Sequence, residues 1–587
     1  MSPNPKTTPT WARQTAFKIL QRAEQNDAFV RPLIESALRP STDPSTQSTA
    51  QRPARPSADP SAQSATQRPA RPAATPAATP AAASAAPAAG PASPSAAERD
   101  FASLLAIGAT SAQGELDALI QSTLPGKKIS PEAHIILRLM LYELLYLQKK
   151  PYVALDQGIA LCRQVAPHAA KFVTWAAHRL LQAAQGFPWG DPASDLAALA
   201  HAQAFPLWLA ERLTQELGCE QAATFMAASN LAPPTFAADL QNNDCLRLSN
   251  SQLASLKERL KRGEVIIADA TTQLVARLVA EQAAQQAAQQ PFGQLFRLLE
   301  LGAGRGTKTV LLNRALQQNG LARFEHWAVD LYGYKVSQIQ ARIQQYGLKG
   351  VKTLVADIND LPRLAAATTA AAAAAPTPAA FAPASATAAP APASSVPTTA
   401  APTPAATPAA PEPATASAPA AASALAALAP ASFQAVFIDA PCSGSGTLRR
   451  HPEARWRLQP SEITRLAAQA QGFLQAAAPL VAPGGSLFFS TCSVFAEENA
   501  AQIQRFLQSP AGLGFKPAAL PQNSSASSRY PTGDPTVGQT GGPADNPTVG
   551  PADNPTGSPA GGPAGYLTAL QAKDGDIHFL AVLTREN

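Results

Sequence analysis

Cys442, in FIDAPCSGSGTLRRHPEARWR, and Cys492, in SLFFSTCSVFAEEN, each follow an apolar run that reads as a strand. Thiolates are strong nucleophiles, and two of them at one site suit addition to an electron-poor carbon followed by assisted release. The segment between them reads as a helix and then a strand. Both thiols should therefore emerge at the same end of one parallel sheet, where open α/β sheets hold their ligands. A third element, LELGAGRGTKT at 299–309, ends an earlier predicted strand and should join them there. A cofactor loop with two converging thiols points to methylation of a pyrimidine carbon through a covalent enzyme–base adduct.

That chemistry sets requirements. Carbon 5 of cytosine is a poor nucleophile until a thiolate adds to carbon 6 and makes it enamine-like. It can then take a methyl group from a sulfonium, and removal of its proton expels the thiol. The cycle needs a reactive thiolate, a donor near base nitrogen 3 and a group that assists elimination. Cys442 and Cys492 supply the thiols. Asp439 stands three residues before Cys442, where it would engage nitrogen 3 if protonated, or bridge to the cofactor. Cys162, Cys219 and Cys245 have no such flanking sequence and read as small buried hydrophobes.

In the loop, Glu300 and Leu301 precede Gly302, Ala303, Gly304, Arg305 and Gly306, then Thr307 and Lys308 open a helix. Glycines there permit a tight turn and close approach of a ligand to the backbone. The dinucleotide spacing G-x-G-x-x-G is not met, because the third glycine comes one residue early. The next strand ends in Asp330, suited to ribose hydroxyls, and the third is followed by Asp357, suited to an adenine amine. Any one of these carboxylates reads equally well as a turn or helix cap. In series with the loop they favour S-adenosylmethionine over a nicotinamide cofactor.

The elements around these residues alternate regularly. Strands RLLEL, HWAVD, VKTLV, FQAVFI and GSLFFS are separated by helical stretches at 306–318, 335–346 and 461–477, the pattern of a doubly wound, mostly parallel sheet. YLTALQ and IHFLAVL should close it as an antiparallel pair. The predicted catalytic domain thus covers 291–363 and 431–587. Before it, 200–290 reads as a mixed linker or extension, in which PLWLAERLTQEL is helical and EVIIADATTQLVARLV is a strand and then a helix. Residues 8–39 and 98–186 read as an all-α bundle. Its first helix, 11–24, carries a stripe of Ala12, Ala16, Ile19, Leu20 and Ala23 behind a Thr10 cap. A second helical region, 98–122, breaks near Gly108 or Gly114. Another opens at Ser130-Pro131, with its stripe at Ile136, Leu139, Met140, Leu144 and Leu147. Two more follow at 152–164 and 168–184.

Three tracts, 40–97, 364–430 and about 520–565, are built from Ala, Pro, Ser, Thr and Gly. They hold too few large apolar groups to offset the entropy of ordering, and read as disordered inserts in loops. The remaining roughly 420 residues suit two or three domains. The 46 basic and 40 acidic residues leave a net charge of +6, mild support for a polyanionic partner. MSPNPKTTPTWARQ holds no apolar signal core, no run could span a bilayer, and the cysteines form no CxxC pair. A monomer in the cytoplasm with reduced thiols is expected, without membrane or metal partners.

DAPCSGSGTLRRHPEARWR and STCS-x-x-x-EEN resemble the two cysteine motifs of the NOP2/Sun family of RNA cytosine-5 methyltransferases. ERDFASLLAIGATSAQGELDALI, LRLMLYELLYL and the 152–180 region resemble the NusB-like RNA-binding domain of its RsmB-like subgroup. The resemblance implies a Rossmann-like, S-adenosylmethionine-dependent enzyme acting on small-subunit ribosomal RNA, with Cys492 as nucleophile and Cys442 assisting product release. A transfer RNA target and a non-catalytic RNA-binding or assembly protein are the alternatives. Arg449, Arg450, Arg455 and Arg457, interleaved with His451 and Trp456, are placed to neutralise phosphates and stack a base. This chain departs from the family at LGAGRGTKT (usually Leu-Cys-Ala-Ala-Pro-Gly-Gly-Lys-Thr), at Lys335 for an arginine, at FVTWAAHRL in the helical domain and at DGDIHF near the end.

Overall fold

The structure, a computed structural model, describes residues 8–26, 28–38, 94–291, 293–363, 366, 428–519, 567–570 and 575–587. The three tracts read as inserts lie outside the described residues except at their edges. The chain divides into two units, Met1–Gln185 and Gly186–Asn587.

The first unit is helical: α1 (Trp11–Asn26), α2 (Val30–Ala37), α3 (Ala96–Ser111), α4 (Gln113–Thr123), α5 (Pro131–Leu145), α6 (Pro151–Val165) and α7 (Ala170–Ala183). The α1 stripe from Ala12 to Ala23 is buried. Thr10 is not its side-chain cap, because its hydroxyl accepts from Arg13 Nη1 at 3.0 Å instead. Helix α3 starts two residues before 98, where Ser95 and Glu98 form a reciprocal capping box. The break expected at a glycine falls at Ala112, between α3 and α4. Gly108 continues the helix because a Cβ there would sit 1.9 Å from the Tyr142 ring, so it sets how closely α3 approaches α5. In α5 the predicted stripe is buried or half-buried, and Ile135, Leu137 and Leu141 are buried as well. A helix apolar on every side belongs at the centre of a bundle.

Buried with it is an ion pair. Arg13 Nε donates to Glu143 Oε1 at 2.8 Å and Nη2 donates to Oε2, with side chains 7% and 2% exposed. Removing one partner strands the other charge away from water, so Glu143→Ala is expected to cost about 3 kcal/mol or more in urea unfolding. A loss below about 1 kcal/mol would mean that Arg13 is solvated.

In the second unit α8 (Leu196–Gln203), α9 (Leu207–Leu217) and α10 (Cys219–Ala228) lead to a small antiparallel sheet. Its strands β1 (Thr235–Asp239), β2 (Asp244–Leu248) and β3 (Val265–Ile267) lie in the order β2-β1-β3. The β1–β2 hairpin turns at Asn243, whose φ of 62° suits asparagine; the sequence reading assigned only β3 here. Short helices α11 (Asn250–Ser255) and α12 (Lys257–Lys261) lie between β2 and β3, and helix α13 (Ala270–Ala288) follows β3.

The large sheet contains β4 (Phe296–Leu301), β5 (Phe324–Asp330), β6 (Val351–Val355), β7 (Phe433–Asp439), β8 (Val481–Thr491), β9 (Phe515–Pro517), β10 (Leu567–Leu570) and β11 (His578–Arg585). Its order is β10-β11-β8-β7-β4-β5-β6, with β9 on β11. Pairings from β8 through β6 are parallel, and β11 runs antiparallel to β8, β9 and β10. On one face Leu298, Phe437, Phe488 and Leu580 pack against α13 and α14 (Thr307–Gln318). On the other, Leu299, Ile438, Phe489 and Phe579 pack against helices Pro460–Ala477 and Ala500–Leu507. Burial on both faces is why these strands read as continuous apolar runs. The chain order reverses between β4 and β7, which opens a crevice at their carboxyl ends.

Candidate active site

Cys442 lies three residues beyond β7 and Cys492 directly after β8, and these strands are parallel neighbours. Both thiols are half-buried, with their Sγ atoms 3.3 Å apart and the Cys492 N–H on Cys442 Sγ at 3.3 Å. Lys308 Nζ donates to Asp439 Oδ2 at 2.8 Å beside them. The Cys442 sulfur and burial hold the Cys492 thiol well above its ordinary range, while the Lys308 ammonium pulls it down. Burial opposes the charge on Lys308, but Asp439 and the thiols outweigh it and raise the ammonium above its usual value. A fixed cation near a thiol favours the thiolate that nucleophilic attack needs.

A second set of polar groups surrounds this centre. Arg450 joins two carboxylates, with Nη2 on Asp269 Oδ2 at 2.5 Å and Nε on Asp576 Oδ2 at 2.7 Å. Burial and the neighbouring Asp269 push Asp576 up to about 6. His578 begins β11, one residue before the Phe579–Thr491 pair, and its Nε2 lies 3.4 Å from Thr272 Oγ1. Burial, with Lys308 and Arg450 nearby, lowers His578 from 6.5 to about 3.

This has a consequence for stability. Below pH 6.5 the unfolded imidazole gains a proton that the folded one refuses until about 3, so its contribution to stability falls as pH falls through that window. At pH 5 the loss amounts to about 2 kcal/mol. His578→Phe should narrow the gap in unfolding free energy between pH 8 and pH 5 by that amount. Asp576 acts with the opposite sign and is common to both proteins. An unchanged gap would show that His578 is protonated in the fold.

The glycine loop fits a ligand-bearing turn. Gly302 and Gly306 have φ of 78° and 82°, and a Cβ on Gly302 would meet the Asp439 carbonyl oxygen at 2.5 Å. Gly304 N–H donates to Asp330 Oδ2 at 2.9 Å and Tyr332 N–H to Oδ1 at 3.0 Å. Lys335 Nζ adds a contact to each oxygen, 3.5 Å to Oδ2 and 3.4 Å to Oδ1, so the carboxylate is held from three sides. Asp357 caps a short turn through Asn359 N–H at 2.9 Å. Ala303 is buried, Arg305 is exposed, and Thr307 accepts from Arg342 at 2.8 Å. The N–H groups of Gly302, Ala303, Gly304 and Gly306 bond to Val329 O, Asp330 and Ala303 O, and Glu300 is fully buried beside His326, so Asp330, Asp357 and the Cβ-free turn are what suit an adenosine bearing a positively charged sulfur.

The basic segment after Cys442 divides. Arg455, expected to face RNA, is instead fully buried, with Nη1 on Asn230 Oδ1 at 2.8 Å, Nη2 on Ser229 O at 3.2 Å and its guanidinium 4.1 Å from the Phe205 ring centroid. It fastens this segment to the α8–α10 region and cannot reach a phosphate. Arg450 is committed to Asp269 and Asp576. Arg449 donates to Ala232 O at 2.9 Å, Trp456 is half-buried and Arg457 is exposed. Cys219, expected to be buried, is exposed at the start of α10, whereas Cys162 and Cys245 are buried. Asp269 escaped the sequence reading, which noted Asp576 and His578 only as part of DGDIHF; an aspartate between a strand and a helix looks like an ordinary cap, which Asp269 also is. Among the described residues no group of His, Cys, Asp and Glu is placed to hold a metal, and no helix is long and apolar enough to cross a membrane.

A family profile described as 16S rRNA methyltransferase RsmB/F matches residues 419–530, and one described as NusB family matches residues 81–174. The probable ribosomal RNA small subunit methyltransferase B of Synechocystis sp. is 25% identical over 433 residues, 70% of this chain and 81% of that protein. The ribosomal RNA small subunit methyltransferases B of Erwinia tasmaniensis and Pasteurella multocida are 47% and 42% identical over 76 and 85 residues. Those stretches are 13% and 14% of this chain and 18% and 19% of the two relatives. The crystal structure of PH0851 matches with a TM-score of 0.51 at 18% identity, covering 84% of this chain and 91% of that one, a likeness of fold. Fold and site together define a Rossmann-like methyltransferase whose methyl donor is S-adenosylmethionine. In residues 419–530 the chain is similar to the RsmB/F methyltransferases, and in residues 81–174 to the NusB family.

Proposed function

We propose that the protein methylates carbon 5 of a cytosine in small-subunit ribosomal RNA through a covalent bond between Cys492 and carbon 6 of the base. The observation that carries this reading is the 3.3 Å approach of Cys442 and Cys492 at the carboxyl ends of β7 and β8. Names of the relatives support the RNA class; the paired thiols support the cytosine chemistry.

In this reading the Cys492 thiol loses its proton to solvent and its sulfur bonds to carbon 6. Lys308, anchored on Asp439, supplies positive charge beside the thiol and a proton donor for the ring as electrons move toward nitrogen 3. Bound S-adenosylmethionine supplies a methyl group on a cationic sulfur, to which the now nucleophilic carbon 5 is directed. Asp330 and Asp357 would hold its adenosine part against the close-packed turn from Gly302 to Gly306. Cys442 then assists transfer of the carbon-5 proton to solvent, the ring returns the nitrogen-3 proton to Lys308, the carbon–sulfur bond breaks and Cys492 is restored. Of the basic segment, Arg449, Trp456 and Arg457 stay as RNA contacts. A base inside a helix must first be flipped out, at a cost of a few kcal/mol.

The test is trapping. Small-subunit RNA carrying 5-fluorocytosine has no carbon-5 proton to lose, so incubation with protein and S-adenosylmethionine should leave a denaturant-resistant RNA–protein adduct. Sequencing the bound RNA gives the target. Adduct with transfer RNA alone would overturn the substrate, and none with either RNA would overturn the chemistry.

A further inference from the structure

Glu498, the second acid of the EEN triplet, is fully buried. Burial raises its carboxyl, and hydrogen bonds from Ser443 and Ser493 oppose that rise. Its Oε1 accepts the Ser443 backbone N–H at 2.7 Å, and its Oε2 accepts the Ser443 hydroxyl at 2.6 Å and the Ser493 hydroxyl as well. Ser443 follows Cys442 and Ser493 follows Cys492. One carboxylate therefore grips the residue next to each thiol, on loops that leave different strands. Ser445 closes the ring: its Oγ lies 3.2 Å from Ser493 Oγ and accepts the Val494 N–H at 3.0 Å. Asn499 holds the Cys492 loop alone, accepting from Thr491 and donating to Ser493 O at 2.9 Å. The thiols themselves are not bonded, since 3.3 Å far exceeds a disulfide's length of about 2.05 Å.

We propose that Glu498 is a positioning residue that locks the two thiol loops together, keeping Cys442 within reach of a base attached to Cys492. The proposal rests on the reading of these thiols as the reacting pair. Glu498 touches neither thiol in this arrangement; it acts through Ser443 and Ser493. Alanine would leave an amide and two hydroxyls without their acceptor in a buried place. Glutamine would keep one acceptor oxygen, and the hydroxyls could turn to accept from its amide group.

Phenylarsine oxide tests the spacing without turnover. It condenses with two adjacent thiols to a cyclic dithioarsenite, losing one water with no change of oxidation state, and a monothiol wash removes singly attached reagent. Mass spectrometry of the full chain should find one bridge, across Cys442 and Cys492. Glu498→Ala should slow bridging at least about tenfold, and Glu498→Gln should restore most of the rate. In methyl transfer, Glu498→Ala should lower kcat about 100-fold while KM for RNA and affinity for S-adenosylmethionine hold. Equal bridging in wild type and Glu498→Ala would overturn the lock, as would parallel loss of cofactor affinity. Should Glu498→Ala not fold, the pair Ser443→Ala with Ser493→Ala breaks the same hydroxyl bonds from the other side, and wild-type bridging there overturns the lock. A wild type that bridges as expected but methylates no RNA would sink the proposed function and leave the lock standing.

Discussion

Cys492→Ala is expected to abolish methyl transfer, a loss of at least about 10⁴-fold, with cofactor affinity near that of the wild type. Without the sulfur no adduct forms at carbon 6, and carbon 5 never becomes nucleophilic enough to take the methyl group. Cys442 cannot stand in. Its sulfur is 3.3 Å from the lost one, and misplacing a reacting atom by about 1 Å already costs about 100-fold. Cofactor affinity should hold because the glycine loop and Asp330 belong to β4 and β5, while Cys492 follows β8. Labelled methyl transfer to small-subunit RNA, with calorimetry of cofactor binding alongside, makes the comparison. Transfer within about tenfold of wild type would remove Cys492 from the nucleophile's role.

Cys442→Ala should produce the opposite signature. Turnover should fall about 10² to 10⁴-fold, the range for loss of a group that moves a proton in the rate-determining step. Here, however, the first bond still forms. Unmodified RNA should accumulate as a covalent complex with the protein, visible as a slower band after denaturation, with no fluorine in the base. The double variant Cys442→Ala with Cys492→Ala should lose that band. A band from Cys492→Ala and none from Cys442→Ala would exchange the two roles.

The residues of the centre were legible because each sits where a local pattern ends. An apolar run closed by Asp439-Ala440-Pro441-Cys442, or by Thr491-Cys492, marks a strand and the loop after it. Alternation of such runs with helical stretches implies a parallel sheet, and hence which end of it the loops share. The surroundings of the centre were not legible. RRHPEARWR looks like a solvated basic loop, yet Arg455 is buried against carbonyls of Ala204 and Ser229, more than 220 residues earlier. Arg450 finds one carboxylate ahead of α13 and another near the end of the chain. Lys308 reads as a residue of the cofactor loop, but the first turn of α14 aims it at Asp439 and the thiols.

The sequence by itself determined the order of the five parallel strands, the glycine loop and the two cysteine loops, because strand alternation and turn chemistry depend on neighbours a few residues apart. Only the tertiary structure decided the thiol separation, the Lys308–Asp439 pair, the Arg450 bridge and the carboxylate shared by Ser443 and Ser493. Apart from the Glu498–Ser493 bond, those contacts join residues that lie from 50 to 181 positions apart. Hydrogen bonds and ion pairs act over about 3 Å, so such partners meet only once strand register has set their backbones.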